Sequence, residues 1–118
     1  MIARLKADIF KSLSHPTRVR ILELLRDATC SELGESCGGE EESELCVCKI
    51  TPALGIEQSN VSQHLAHLKE RGLIHGRRKG KNVYYSVASP KVFELLDLVD
   101  GLLEERLEES QEALRLMR

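Results

Sequence analysis

Four cysteines, Cys30, Cys37, Cys46 and Cys48, are confined to one short stretch of the chain. Thiolates bind soft metals and react with oxidants, so this grouping allows metal capture or redox chemistry. A second set follows at once: Gln58, Ser59, Asn60, Ser62, Gln63 and His64, nearly all hydrogen-bonding side chains. Gln and Asn pair bidentately with adenine in the DNA major groove, and Ser suits phosphates or base edges. The third set is Arg77, Arg78, Lys79 and Lys81. Such cations suit phosphates and the flanking minor groove, where they supply salt-dependent affinity rather than sequence choice. The other histidines are expected to be structural at His15 and His67, with His75 beside the third set, and no histidine pair offers a metal site.

Charge is distributed to match. The net charge of −2 hides a basic centre. Between Gln58 and Asn82, Lys69, Arg71, Arg77, Arg78, Lys79 and Lys81 face a single acid, Glu70. Between Asp27 and Lys49, Asp27, Glu32, Glu35, Glu40, Glu41, Glu42 and Glu44 oppose a single base. A basic segment between acidic neighbours marks a local polyanion-binding face. Enzyme classes are not indicated: there is no C-x-x-C, no H-E-x-x-H and no Gly-rich phosphate loop. A protein–protein module built on the acidic last helix is the competing non-enzymatic class. No apolar run approaches the roughly 20 residues of a membrane span, and nothing resembles an export signal. The chain is therefore expected in the cytoplasm, where reduced thiols favour metal binding or redox sensing over permanent disulfides.

The elements that must position these groups can be read from periodicity. With 118 residues the chain fits one domain, and an aromatic content of 3% leaves the core to Leu, Ile and Val. Ile2, Leu5, Ile9 and Leu13 mark a first helix. Ser14 or His15 caps a second, with Pro16 in its first turn and Val19, Ile21, Leu22 and Leu25 buried, ending near Asp27. Residues 28–44 lack apolar periodicity and read as an inserted, acidic, cysteine-containing loop. From Cys46 a third helix carries Ile50 and Leu54 to a stop at Gly55. After a short turn, Val61, Leu65 and Leu68 mark a fourth helix, closed by Gly72. Two helices across a short Gly-containing turn are the helix-turn-helix signature. The segment LIHGRRKGKNVYYSV reads as a two-stranded hairpin turning at KGKN, with Val83, Tyr85 and Val87 on an apolar face and Asn82, Tyr84 and Ser86 on a polar one. Residues 89–118 form a last helix whose seam, Val92, Leu95, Leu96, Val99, Leu102, Leu103 and Leu107, is longer than so small a domain can cover, so it is expected to pack on a partner chain. The fold class is mainly α with a small hairpin: a single winged helix-turn-helix domain over residues 1–118, with about five helices and a two-stranded wing.

The motifs SHPTRVRILELL (Ser14–Leu25), ELCVCKI (Glu44–Ile50), QSNVSQHLAHLKERGLI (Gln58–Ile74) and GRRKGKNVYYSV (Gly76–Val87) together resemble the ArsR/SmtB family of metal-responsive repressors. The match covers nearly the whole chain apart from residues 28–44. It implies a homodimer paired through the first and last helices, bound to double-stranded operator DNA and released by an inducer, with no cofactor needed for DNA binding. Cys46-x-Cys48 matches the family's metal box. Two positions depart from it: Thr51 stands where arsenic sensors often carry a third cysteine, and Lys49 where an acid is usual. Cys37 and Cys30 would then complete the ligand set. Three thiolates suit arsenite or antimonite, and four suit Cd, Pb or Zn. Residues two apart on a helix diverge, so both cysteines reach one ion only if Cys46 lies in the extended lead-in or first turn. A disulfide or persulfide switch using the same cysteines is the alternative. The family's other metal site, on the last helix, is not expected, because that helix has no histidine. A third departure is Glu57, a poor helix cap where the family usually has Ser or Thr.

Overall fold

The computed structural model describes residues 1–28 and 44–116. The expected inserted loop falls, apart from its two end residues, outside the described residues, and Cys30 and Cys37 fall outside with it. The chain runs α1 (Ile2–Ser12), α2 (Pro16–Ala28), β1 (Leu45–Cys46), α3 (Val47–Leu54), α4 (Gln58–Glu70), β2 (Ile74–Lys79), β3 (Asn82–Val87) and α5 (Lys91–Leu116).

Local chemistry sets the boundaries. The N–H of Thr17 donates to His15 Nδ1 at 3.1 Å, which caps α2, and Pro16 occupies a position whose N–H has no helical partner. Gly55 ends α3 in the left-handed region at φ 68°, its N–H bonded to the Thr51 carbonyl at 3.2 Å. Glu57 precedes α4 with extended backbone and makes no side-chain cap bond, so the helix opens at Gln58 on an uncapped first turn. The N–H of Lys91 donates to Ser89 Oγ at 3.2 Å and starts α5.

The core lies where α2, α3, α4 and the sheet meet. Ile21, Leu22 and Leu25 of α2, Ile50 of α3, and Val61, Leu65 and Leu68 of α4 are fully buried together. Leu45, Leu73, Ile74, Val92 and Leu96 close the cluster. The helical periodicities of α2, α3 and α4 thus identify the faces that pack. The first helix contributes little: Leu13, just beyond it, packs on the core, whereas Ile2, Leu5, Ile9 and Phe10 stay exposed. Likewise α5 buries Val92 and Leu96 but exposes Leu98, Val99, Leu102, Leu103 and Leu107. At 26 residues, α5 runs past the body it starts from, in a molecule 60 × 40 × 26 Å in extent.

The sheet has three antiparallel strands in the order β1-β3-β2. The expected hairpin is present, pairing Ile74 with Val87 through to Lys79 with Asn82. Gly80 at φ 63° opens its two-residue turn, a position where a side chain would be strained. The third strand is an addition to the two-stranded wing: Leu45 pairs with Tyr85 and Cys46 with Tyr84. This corrects the expected polar face of β3. Tyr85 and Val87 do pack on the core. Tyr84, on the other face, is nevertheless only 4% exposed, because β1 and Arg77 flank it there. Gly76 faces Tyr85, and a Cβ on it would come within 3.2 Å of that ring. Burial raises the Tyr85 phenol above its ordinary range.

Candidate nucleic-acid interface and thiol site

Burial of Val61, Leu65 and Leu68 fixes the rotation of α4 about its axis. Gln58, Ser59, Asn60, Ser62 and Gln63 are thereby left exposed along its first two turns. His64, the sixth residue of the expected set, has contacts within the chain. It is half-buried, accepts a hydrogen bond from Arg18 Nε at 3.2 Å on Nδ1, and sits 4.4 Å from the His15 ring, centroid to centroid. Its physical role is to tie α4 to α2. One turn on, His67 Nε2 lies 3.1 Å from Ser12 Oγ. Ser12 Oγ donates its own proton to the Asp8 carbonyl at 3.0 Å, so His67 donates to Ser12. Arg18 Nη1 also reaches the Ser12 carbonyl, at 3.4 Å. His15 and His67 thus make contacts within the chain, and Arg18 joins α2 to α4 and to the end of α1, a link the sequence did not mark.

This cluster makes stability pH-dependent. Burial, then the neighbouring His15, Arg18 and His67, lowers the His64 pKa below its ordinary value. Burial, then Arg18 and Arg71, lowers that of His67, with Glu70 opposing and Lys11 adding to the shift. Both rings are harder to protonate in the folded than in the unfolded chain. From the unfolded pKa of about 6.5 downward, the unfolded state binds more protons, so stability falls as pH falls. The melting temperature should decline from pH 7.5 to 5.5, and a His64→Gln, His67→Gln variant should show a flatter profile in thermal melts. An identical slope in that variant would assign the pH dependence elsewhere.

On the wing, Arg78, Lys79 and Lys81 are exposed around the β2–β3 turn. Arg77, the remaining cation of the expected set, is paired within the chain. Its Nε and Nη2 donate to the two carboxylate oxygens of Glu44 at 3.2 and 2.9 Å, and its guanidinium carbon lies 5.7 Å from the centre of the Tyr84 ring. Glu44 has a side chain only 4% exposed, against 41% for Arg77. A forked pair with one buried end is a fixed structural contact.

The thiol residues sit at the junction of sheet and helix. Cys46 has extended backbone (φ −74°, ψ 147°), ends β1 and caps α3, its Sγ accepting the N–H of Cys48 at 3.3 Å. It therefore occupies the extended lead-in that a shared ion requires. Cys46 is 2% exposed, whereas Cys48 lies on the surface. Among the described residues, no group of three or more His, Cys, Asp or Glu is placed to hold a metal ion. Thr51 brings a hydroxyl that is buried without a hydrogen-bond partner among the described residues. On α5, Asp97 and Asp100 are engaged by Arg26 of α2 at 2.9 and 3.3 Å. No described helix is long and apolar enough to cross a membrane.

An exposed polar recognition helix behind a short turn, flanked by a cationic hairpin, defines a winged helix-turn-helix protein. The model of the "bacterial regulatory protein, arsR family" matches residues 40–75. An HTH-type transcriptional regulator of Mycobacterium tuberculosis H37Rv, Rv0081, is 38% identical over 102 residues, spanning 85% of this chain and 75% of the relative. Its crystal structure superposes with a TM-score of 0.73 at 35% identity, covering 92% of this chain and 94% of the other. The arsenic resistance transcriptional regulator ArsR1 of Pseudomonas putida is 37% identical over 110 residues, covering 92% of this chain and 74% of its own. The homodimeric winged helix-turn-helix domain Mb0332 of Mycobacterium bovis superposes with a TM-score of 0.71 at 30% identity, covering 92% and 86%. The chain belongs to the ArsR/SmtB family of DNA-binding transcriptional regulators.

Proposed function

We propose that this regulator is a homodimeric repressor that leaves its operator when Cys46 and Cys48 bind a soft metal or metalloid. Cys37 and Cys30 supply the remaining thiolates. The observation that carries this reading is the placement of Cys46 and Cys48 on the lead-in and first turn of α3, the helix directly before the recognition helix, with Cys46 in the same sheet as the wing. The P. putida relative, an arsenic resistance regulator, supports arsenite or antimonite as the inducer class, with Cd, Pb and Zn as the four-thiolate alternatives. Gln58, Ser59, Asn60, Ser62 and Gln63 read base edges, and Arg78, Lys79 and Lys81 hold phosphates. Dimerisation uses the exposed apolar faces of α1 and α5, in keeping with the homodimeric M. bovis relative.

Titrating arsenite, Cd and Zn against operator-bound protein tests the sensor. Wild-type protein should dissociate, and Cys48→Ser should resist, needing at least about tenfold more inducer, because a hard hydroxyl does not replace a soft thiolate donor. Undiminished release of Cys48→Ser would remove Cys48 from the sensor. Release by a peroxide or persulfide donor in the absence of metal would favour the thiol-redox reading of the same cysteines.

A further inference from the structure

We propose that Glu44 is a positioning residue that relays the state of the thiol site to the wing through Arg77. The relay rests on the sensor reading given above. Four side chains carry it. Cys46 pairs with Tyr84, and Tyr84 pairs with Arg77, so these three stand in one row across β1, β3 and β2. Residues directly opposite in a sheet share a face. Glu44 precedes Cys46 by two and falls on that same face by alternation. Its carboxylate closes the row by gripping Arg77 with both oxygens, at 3.2 and 2.9 Å. The grip fixes β2 against the start of β1, and the adjacent Arg78 and Lys79 belong to that same strand.

The row responds to the thiols because β1 is only two residues long. Cys46 is half of that strand, and its sulfur is buried while capping α3. A metal shared with Cys48 would load the Cys46 sulfur that caps α3, and Glu44 lies only two residues along the chain from it. Glu44 then shifts relative to Arg77, and a forked contact tolerates little displacement before one of its two bonds is lost. The wing is released from its setting, and the cations beside Arg77 no longer meet phosphates in register with the recognition helix. The ligand acts by binding the two settings with different affinity, as any allosteric effector must.

The test compares wild type with Glu44→Gln, which removes the charge, and Arg77→Lys, which keeps the charge but loses the fork. Operator affinity is measured by fluorescence anisotropy without ligand and with saturating arsenite or cadmium ion. Metal affinity of the DNA-free dimer is measured by calorimetry. The wild-type ratio of the two operator affinities should lie in the range of about 5- to 150-fold usual for coupled sites. Both variants should bring that ratio to within about twofold of unity while binding metal at least as tightly as wild type. If Glu44→Gln does not fold, Arg77→Lys carries the same test. A purely structural role would lower both operator affinities and leave their ratio intact, and that result overturns the relay alone. Wild-type protein that keeps its operator in both metals overturns the sensor reading and the relay together.

Discussion

A chain carrying Leu102→Glu and Leu103→Glu is expected to sediment as a monomer and to bind a two-half-site operator about 10²-fold or more weakly than wild type. The argument begins with surface that the single chain leaves uncovered. Leu102 is 63% exposed and Leu103 53%, and they continue a stripe that includes Leu98, Val99 and Leu107. On α1, Ile2, Leu5, Ile9 and Phe10 form a second exposed apolar group. Monomeric soluble proteins rarely leave apolar patches so extensive in water. Burying one Leu contributes about 1.5–3 kcal/mol, so a few such residues from each chain suffice to hold two subunits together. Two carboxylates in the middle of that face reverse the gain, because each must be desolvated without a partner. The core does not suffer, since α5 anchors itself through Val92 and Leu96, a full turn or more away. The operator penalty follows from geometry. A dimer that has engaged one half-site meets the second at high effective concentration, and a monomer loses that advantage without losing any DNA contact of its own. The variant should therefore retain wild-type affinity for a single half-site. A variant that remains dimeric would place the subunit interface elsewhere.

The parts of the fold legible in the sequence are those written as period or punctuation. Val61, Leu65 and Leu68 recur at helical spacing and are all buried, and Gly55 and Gly80 mark the αL stop and the wing turn. What remained hidden depends on partners far apart in the chain. β1 consists of Leu45 and Cys46, and two residues carry no readable alternation. Without β1, Tyr84 counts as a polar-face residue and Arg77 as one more surface cation. The pairing of Glu44 with Arg77 spans 33 positions, and that of Arg18 with His64 spans 46. A polar residue on an amphipathic helix gives the same pattern whether it faces a groove or a neighbouring helix. His64 therefore could not be told from Gln63 by spacing, although the structure separates them.

Replacing Arg78, Lys79 and Lys81 with Ala should weaken operator and random DNA alike, by about 10²- to 10³-fold near physiological salt, with the deficit widening at lower salt and narrowing at higher salt. Each phosphate contact removed takes about 0.9 from the slope of log affinity against log salt. Three cations on each of two wings set an upper limit of about 5 on the change in slope. The structure gives reasons to expect a value near that limit. All three side chains are exposed, and Gly80 and the register of β2 with β3 hold them at one end of a rigid hairpin. Arg77 is left out of the set because its guanidinium is already committed to Glu44, and including it would mix loss of charge with loss of the wing's anchor. The recognition helix should behave in the opposite way. Gln58→Ala with Gln63→Ala should leave random-DNA binding and the salt slope unchanged and cost about 1–3 kcal/mol of operator discrimination for each base pair read bidentately. Phosphate contacts are blind to sequence and sensitive to salt, whereas base contacts show the reverse, so the two variants separate the roles of wing and helix in one set of titrations. A wing variant with an unchanged salt slope would mean that these cations face solvent in the complex, and the basic surface around Lys69 and Arg71 would then be the phosphate-binding face.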